Sequence, residues 1–246
     1  MKHLLTFGER VLAFQRKLAE ITIDLPAGFK LINPYNGEDK KLIQQITTIF
    51  YQKFFADNIP RRLILGSYPA RRGTAVTGIP FEDADHLYSE TGIKIDNFYI
   101  NHSSSDFLYE VINKYGGSKT FDQDFYTSFV CPLGLIRINE KGRAVNCNYY
   151  ENKKILNQLE TFIVNSLRTQ ISLGIDTSVC FCIGSSQNFQ TLTKINNKYN
   201  FFNVIVPLEH PRFITQYNYQ KRDFYLKKYL TVLKKKYLTV LKKKSY

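Results

Sequence analysis

Two segments of the sequence concentrate the residue types that chemistry on a bound ligand needs. The first, Gly66-Ser-Tyr-Pro-Ala-Arg-Arg-Gly-Thr-Ala-Val-Thr-Gly-Ile-Pro-Phe81, holds three glycines, two prolines and the adjacent pair Arg71 and Arg72. Glycine removes the side-chain obstacle between backbone N–H groups and a ligand, so such a loop suits close approach. Its spacings fit neither a GxGxxG fingerprint nor a Walker loop, which argues against nucleoside-triphosphate chemistry. The second segment runs from Pro207 through Glu209, His210, Pro211, Arg212 and Phe213 to Tyr217. It presents a histidine, the side chain best suited to proton transfer and to hydrogen bonding near neutral pH. Of the other histidines, His3 sits in a terminus, while His86 and His102 lie in polar connections. His102-Ser-Ser-Ser-Asp106 opens a predicted helix, where hydroxyls and a carboxylate act as caps rather than as a hydrolase triad. No GxSxG elbow occurs.

Chemistry of this kind needs a frame. Apolar residues at helical spacing predict helices over about 8–21 and 38–56, the latter broken before Pro60. Four short apolar runs stopped by glycine or proline read as buried parallel strands: 61–69, 125–134, 177–186 and 201–211. Between them lie helical patterns at about 103–115, 151–172 and 186–198. Alternating strands and helices predict an α/β fold, a three-layer α/β/α sandwich around a mostly parallel sheet of about four strands. Sites in such sheets lie at the carboxyl ends of the strands. That rule draws the loops at Gly66, Cys131, Gly184 and Pro207 together and sets His210 opposite the glycine-rich loop.

The chain has 246 residues, 43% hydrophobic and 22% charged, enough for one large core. Its formal net charge of +13 favours polyanionic partners. Residues 225–246 carry eight lysines and no acid; without them 26 basic face 21 acidic residues, a body of +5. No long apolar run suggests a membrane span, and Glu9, Arg10, Arg16 and Lys17 interrupt the apolar residues of the opening segment, so a soluble, cytoplasmic protein without a membrane association is expected. The four cysteines have no metal-binding spacing, and Cys180 and Cys182 alternate with Val179 and Phe181 as one face of a strand. Reduced thiols and no zinc or iron–sulfur metal site follow as expectations. The octad YLTVLKKK at 229–236 recurs unchanged at 237–244, so the chain divides into a domain over 1–226 and a Lys-rich helical tail over 227–246. A basic helix lying along phosphates and a simple duplication that lengthened a terminal helix both fit; the second is favoured.

The order of LGSYPARRGTAVTGIPF at 65–81, FVCPLG at 129–134 and EHPR at 209–212 resembles the uracil-DNA glycosylase superfamily. Within it, the likeness is to the single-strand-selective monofunctional uracil-DNA glycosylase family and its bacterial relatives. It covers roughly residues 60–226. The resemblance implies a monofunctional DNA glycosylase of base-excision repair, which flips a deaminated base (uracil, hypoxanthine or xanthine) out of DNA and hydrolyses its N-glycosidic bond without a cofactor. It implies His210 as donor to the departing base, Tyr68 at the water-handling position, and Gly66, Ser67, Phe81, Ser128 and Phe129 around the base. Arg71, Arg72, Pro211, Arg212 and Phe213 would meet DNA, with no obligate protein partner.

The sequence departs from the family motif at Tyr68, at Phe129 and at Arg212, the last standing where the family has Ser and suited to a phosphate, the pocket edge or the solvated surface. Tyr68 replaces the family's Asn or Asp; a phenol is a poor base at neutral pH, and Glu82, Asp83 and Asp85 are nearby alternatives. Phe129 replaces the Asn that reads the base edge, and a phenyl ring forms no paired hydrogen bonds. A nucleic-acid-binding protein that keeps the fold without catalysis is therefore the alternative reading, and a small-molecule hydrolase a weaker one. Arg61 and Arg62 read equally as phosphate contacts or surface charge.

Overall fold

The computed structural model describes residues 4–71, 73–82, 84–94 and 102–237. Four parallel strands form the central sheet: β1 is a separate short strand, Phe29–Ile32, and the sheet comprises β2 (Arg61–Gly66), β3 (Phe125–Phe129), β6 (Ile175–Ile183) and β7 (Ile205–Leu208), in the order β3-β2-β6-β7. The chain moves from β2 outward to β3, then returns across β2 to β6 and β7. The winding direction therefore reverses at the β2–β6 border, where loops leave in opposite directions and a crevice opens beyond the strand ends.

Strand alternation divides the core between the two faces of this sheet. Leu63, Leu65, Cys180 and Cys182 pack with α1 (Phe7–Ala19), α2 (Lys40–Phe54), α7 (Lys153–Ser172) and α8 (Gln187–Tyr199). Ile64, Phe125, Val179 and Phe181 pack on the other face with α5 (His102–Tyr115), α6 (Ser118–Asp124), α9 (Pro211–Tyr217) and α10 (Arg222–Lys234). Two short helices, α3 (Thr74–Thr77) and α4 (Ala84–Thr91), lie in the long β2–β3 connection. The expected three-layer sandwich is thus present, its cysteines are free buried thiols, and Cys180 and Cys182 share one face as the sequence pattern predicted.

Three elements differ from expectation. The run 125–134 is not one strand: β3 stops at Phe129, Pro132 lacks an N–H for continued pairing, and Gly134 begins β4 (Gly134–Ile138). That strand joins β1 and β5 (Ala144–Asn146) in an antiparallel sheet of order β1-β4-β5, whose strands are too short to announce themselves by periodicity. The boundary at 226/227 falls inside α10. Leu226, Tyr229 and Leu233 are all at most 4% exposed, so the first copy of the octad is core rather than tail. Most of the second copy lies outside the described residues.

Arg61 and Arg62 sit at the amino end of β2, away from the crevice, and are structural. Arg61 is fully buried, its guanidinium bonded to Asp57 at 2.8 and 3.0 Å and stacked between the Phe7 and Phe55 rings. Arg62 lies over the Phe125 ring and donates to the Leu233 carbonyl at 2.9 Å, tying α10 to the sheet. Neither reaches a phosphate beside the site. Among the described residues no helix is long and apolar enough to cross a membrane.

Candidate active site

The glycine-rich loop continues the β2–β3 pairing past the strand ends, since Val130 N–H donates to the Gly66 carbonyl at 2.9 Å and Cys131 N–H to the Ser67 carbonyl at 3.0 Å. At Gly66 the absence of a side chain is a steric necessity: a Cβ there would meet Phe81 Cζ and Phe129 Cδ1 at 2.8 Å each. These two rings lie 5.5 Å apart between centroids, tilted by 34°. Phe81 holds a left-handed backbone, φ 62°, unusual for a bulky side chain, and its N–H is taken by Thr74 Oγ1 at 3.2 Å. The strain is offset by a loop that is pinned on both sides, and it turns the ring toward the crevice.

The second wall is the turn from β7 into α9. His210 is the N-cap of α9, and its Nδ1 accepts the Arg212 backbone N–H at 3.1 Å. A nitrogen that accepts carries no proton, so in the neutral ring the proton resides on Nε2, a donor. Protein crowds the ring although the residue keeps an exposed edge; that desolvation, with the nearby Arg212 charge, pushes the imidazole pKa down to about 4. His210 is therefore uncharged at neutral pH. The Glu209 carbonyl before it accepts the Tyr229 hydroxyl, and the Glu209 carboxylate binds Lys228 Nζ at 2.6 Å. Helix α10 thus clamps the turn that carries the histidine.

A third wall was not foreseen from the sequence. After β5 the chain runs into a turn, closed by the Glu151 N–H donating to the Asn148 carbonyl at 3.0 Å; Cys147 and Tyr149 are fully buried, while Asn146, Asn148 and Tyr150 face the crevice. Tyr149 hydroxyl donates to Asn188 Oδ1 at 2.8 Å, and the Asn188 amide donates to the Ile183 carbonyl at 2.9 Å, fastening this wall to the end of β6. Asn146 Oδ1 accepts the Arg71 N–H at 3.1 Å, and the Tyr150 phenol bonds the Ser67 side chain. The polar residues sit in a segment rich in Asn and Tyr, where sequence alone does not distinguish the buried tyrosine from the exposed one.

Together the walls enclose a cleft of about 620 Å³, large enough for a nucleoside. Ser67, Tyr68, Arg71, Phe81, Phe129, His210, Arg212 and Phe213 all line it. Gly66 lies beneath the Phe81 and Phe129 rings. Two expected residues do not reach the cleft. Ser128 is buried with Tyr126 on the opposite face of β3, because adjacent strand residues point to opposite sides. Pro211 is buried at the first position of α9, where its fixed φ suits the helix start. Arg72 and Asp83 lie outside the described residues, and Asp85 is exposed away from the cleft.

Burial, with smaller contributions from Tyr150, Cys147 and Glu151, pushes the Tyr68 phenol up to about 12, so it stays protonated at neutral pH. Glu82, which accepts the Tyr109 hydroxyl, is the single carboxylate among the described lining residues. Arg71 holds a buried Nε without a hydrogen-bond partner in the described structure. Phe213 and Tyr217 stand exposed at the mouth. Among the described residues no group of three His, Cys, Asp or Glu side chains is arranged to hold a metal ion.

The likeness to known proteins follows the same outline. The family model for the Uracil DNA glycosylase superfamily matches residues 52–234, a span that includes all three walls and α10. The crystal structure of wild-type Pedobacter heparinus SMUG2 is similar at 40% sequence identity and a TM-score of 0.88, covering 94% of this chain and 98% of that chain. No curated protein matches the chain. At that extent and identity the relationship is one of descent rather than of fold alone: the chain belongs to the uracil-DNA glycosylase superfamily and is a DNA glycosylase, a hydrolase of N-glycosyl bonds in DNA repair.

Proposed function

We propose that this enzyme flips a deaminated base, uracil first and hypoxanthine or xanthine by the same route, into the cleft and excises it by hydrolysis. The observation that carries the reading is His210: uncharged, its Nδ1 occupied by its own helix start, its Nε2–H left to donate across the cleft from Phe81. As the C1′–N bond breaks, its electron pair moves onto the base, and the Nε2–H hydrogen bond stabilises the base anion. A neutral donor suits this role because it stabilises the anion by a hydrogen bond while keeping its own proton, and the released base takes its proton from solvent. Phe81 supplies the flat face on which the base stacks.

Water completes the reaction by adding its oxygen to C1′ and releasing one proton. Tyr68, protonated, is suited to hold that water by a hydrogen bond, and Glu82 to accept the proton. Arg71 and Arg212 supply positive charge at the cleft for the flanking phosphates, and the exposed Phe213 ring is suited to the space the base leaves. DNA is the substrate partner in this reading, and neither metal nor cofactor has a step.

Excision assays test it: labelled single- and double-stranded DNAs bearing uracil, hypoxanthine or xanthine are incubated with wild type and Glu82→Gln, then treated with alkali to cleave abasic sites. Cleavage by wild type on at least uracil, falling about 100-fold in the variant, is expected. Absence of abasic sites on every substrate, with DNA binding intact, contradicts it.

A further inference from the structure

We infer that Asn148 reads the Watson–Crick edge of the flipped base, the task that the family motif gives to the position occupied here by Phe129. The inference rests on the proposal that this cleft takes a flipped base. Uracil, hypoxanthine and xanthine share one pattern, a ring N–H beside a carbonyl. Recognition of that pattern needs an acceptor and a donor side by side, which one carboxamide supplies and a phenyl ring does not.

The described lining of the cleft contains two side-chain amides, Asn146 and Asn148. Asn146 is exposed at the rim, and its oxygen already accepts the Arg71 N–H at 3.1 Å. Its work is to hold the glycine-rich loop. Asn148 is half-buried, faces the cleft, and its amide has no hydrogen-bond partner among the described residues. With neither its donor nor its acceptor taken by protein, the amide is free to pair with a ligand in the cleft.

The backbone that carries this amide is held at every step. Cys147 N–H donates to the Leu135 carbonyl at 2.9 Å, and Glu151 N–H donates to the Asn148 carbonyl at 3.0 Å. Cys147 and Tyr149 are buried on either side, and Tyr149 is bonded to Asn188 at 2.8 Å. The amide is thus presented from a hydrogen-bonded turn pinned by buried neighbours, so little backbone ordering remains to be done when the base arrives. Phe129 keeps a different role on the same site, a packed floor beneath Phe81.

Coupling between a protein group and a substrate group gives the test. Single-turnover excision is measured on DNA bearing uracil and N3-methyluracil, which lacks the ring N–H, with wild type, Asn148→Ala and Asn148→Asp; affinity for abasic-site DNA reports folding and DNA binding. Wild type is expected to prefer uracil by about 100-fold or more, because a site built around a hydrogen bond rejects the analogue lacking it. Asn148→Ala should lower uracil excision by a similar factor, leave the methylated base little changed, and bring the preference toward unity with abasic-DNA affinity unaltered. Asn148→Asp keeps the shape but loses the N–H donor, and is expected to fall on uracil as well; it decides the matter if the alanine variant no longer binds abasic DNA. An undiminished preference in the folded variants, with His210→Ala still inactive, overturns the role of Asn148 while the glycosylase reading stands. No excision of any base by wild type overturns both.

Discussion

Adding one methyl group at Gly66 is the most localised perturbation of the cleft. The new Cβ of Gly66→Ala would lie 2.8 Å from Phe81 Cζ, 2.8 Å from Phe129 Cδ1 and 2.9 Å from Phe129 Cε1. Ordinary carbon contacts begin near about 3.5 Å, so both rings must retreat by roughly 0.7 Å. Phe129 is 5% exposed and packed, and Phe81 is held by a left-handed backbone, so neither ring yields freely. Overpacking of this kind costs about 1–3 kcal/mol, and at about 2–4 °C per kcal/mol for a chain of this size the Tm should fall by roughly 2–12 °C. The effect on rate should be larger, because displacing the stacking face by most of an ångström costs on the order of 100-fold. Differential scanning fluorimetry and single-turnover excision measure both. The double variant Gly66→Ala with Phe129→Leu removes ring atoms that the methyl meets, and should recover part of the rate that the single variant loses. A Gly66→Ala enzyme with unchanged Tm and rate would refute the claim that the two rings must meet over a bare backbone.

Other residues separate stability from chemistry. Arg61→Ala empties the space between the Phe7 and Phe55 rings, leaving a partly exposed Asp57, and should destabilise the fold by about 2–5 kcal/mol in chemical denaturation, with normal DNA affinity for the protein that remains folded. Arg71→Ala should do the reverse: a near-normal Tm, weaker DNA binding, and a log affinity against log salt slope shallower by about 1 in fluorescence anisotropy. Tyr229→Phe removes the hydroxyl that holds the Glu209 carbonyl; about 1–2 kcal/mol of stability and a reduced kcat at unchanged DNA affinity are expected if α10 positions His210. The lowered pKa of His210 also fixes a pH window. Below about 6.5 the unfolded chain binds a proton that the native imidazole refuses until about pH 4, so stability falls across that interval, and His210→Gln should show a shallower fall. Arg212→Gln removes one cause of the shift and should raise the His210 pKa measured by NMR.

Much of this was readable in the chain. The four strands and the helices between them came from apolar runs ended by glycine or proline, and the strand-end rule alone brought His210 opposite the glycine-rich loop. What escaped has identifiable causes. Ser128 and Pro211 were placed beside functional neighbours, but adjacency in sequence is opposition on a strand and a buried first turn on a helix. Arg61 reads equally as a phosphate contact or as surface charge, because nothing in its neighbourhood predicts a long-range aromatic sandwich with Phe7. The octad suggests an appendage, yet its Tyr229 and Leu233 complete one face of the core and its Tyr229 bonds the turn that carries His210. Of the Asn146, Asn148 and Tyr150 wall only Asn146 belongs to a strand, itself three residues long, and the chain turns just beyond it, so no periodic signal marks these residues.

The central claim is that a neutral His210 stabilises the departing base. Its most direct test is the single-turnover excision rate of wild type and His210→Ala on uracil-containing DNA at pH 7.5, with affinity for abasic-site DNA measured alongside. The account predicts a loss of about 100-fold or more in rate with abasic-DNA binding retained. A His210→Ala enzyme that excises uracil at the wild-type rate would contradict it.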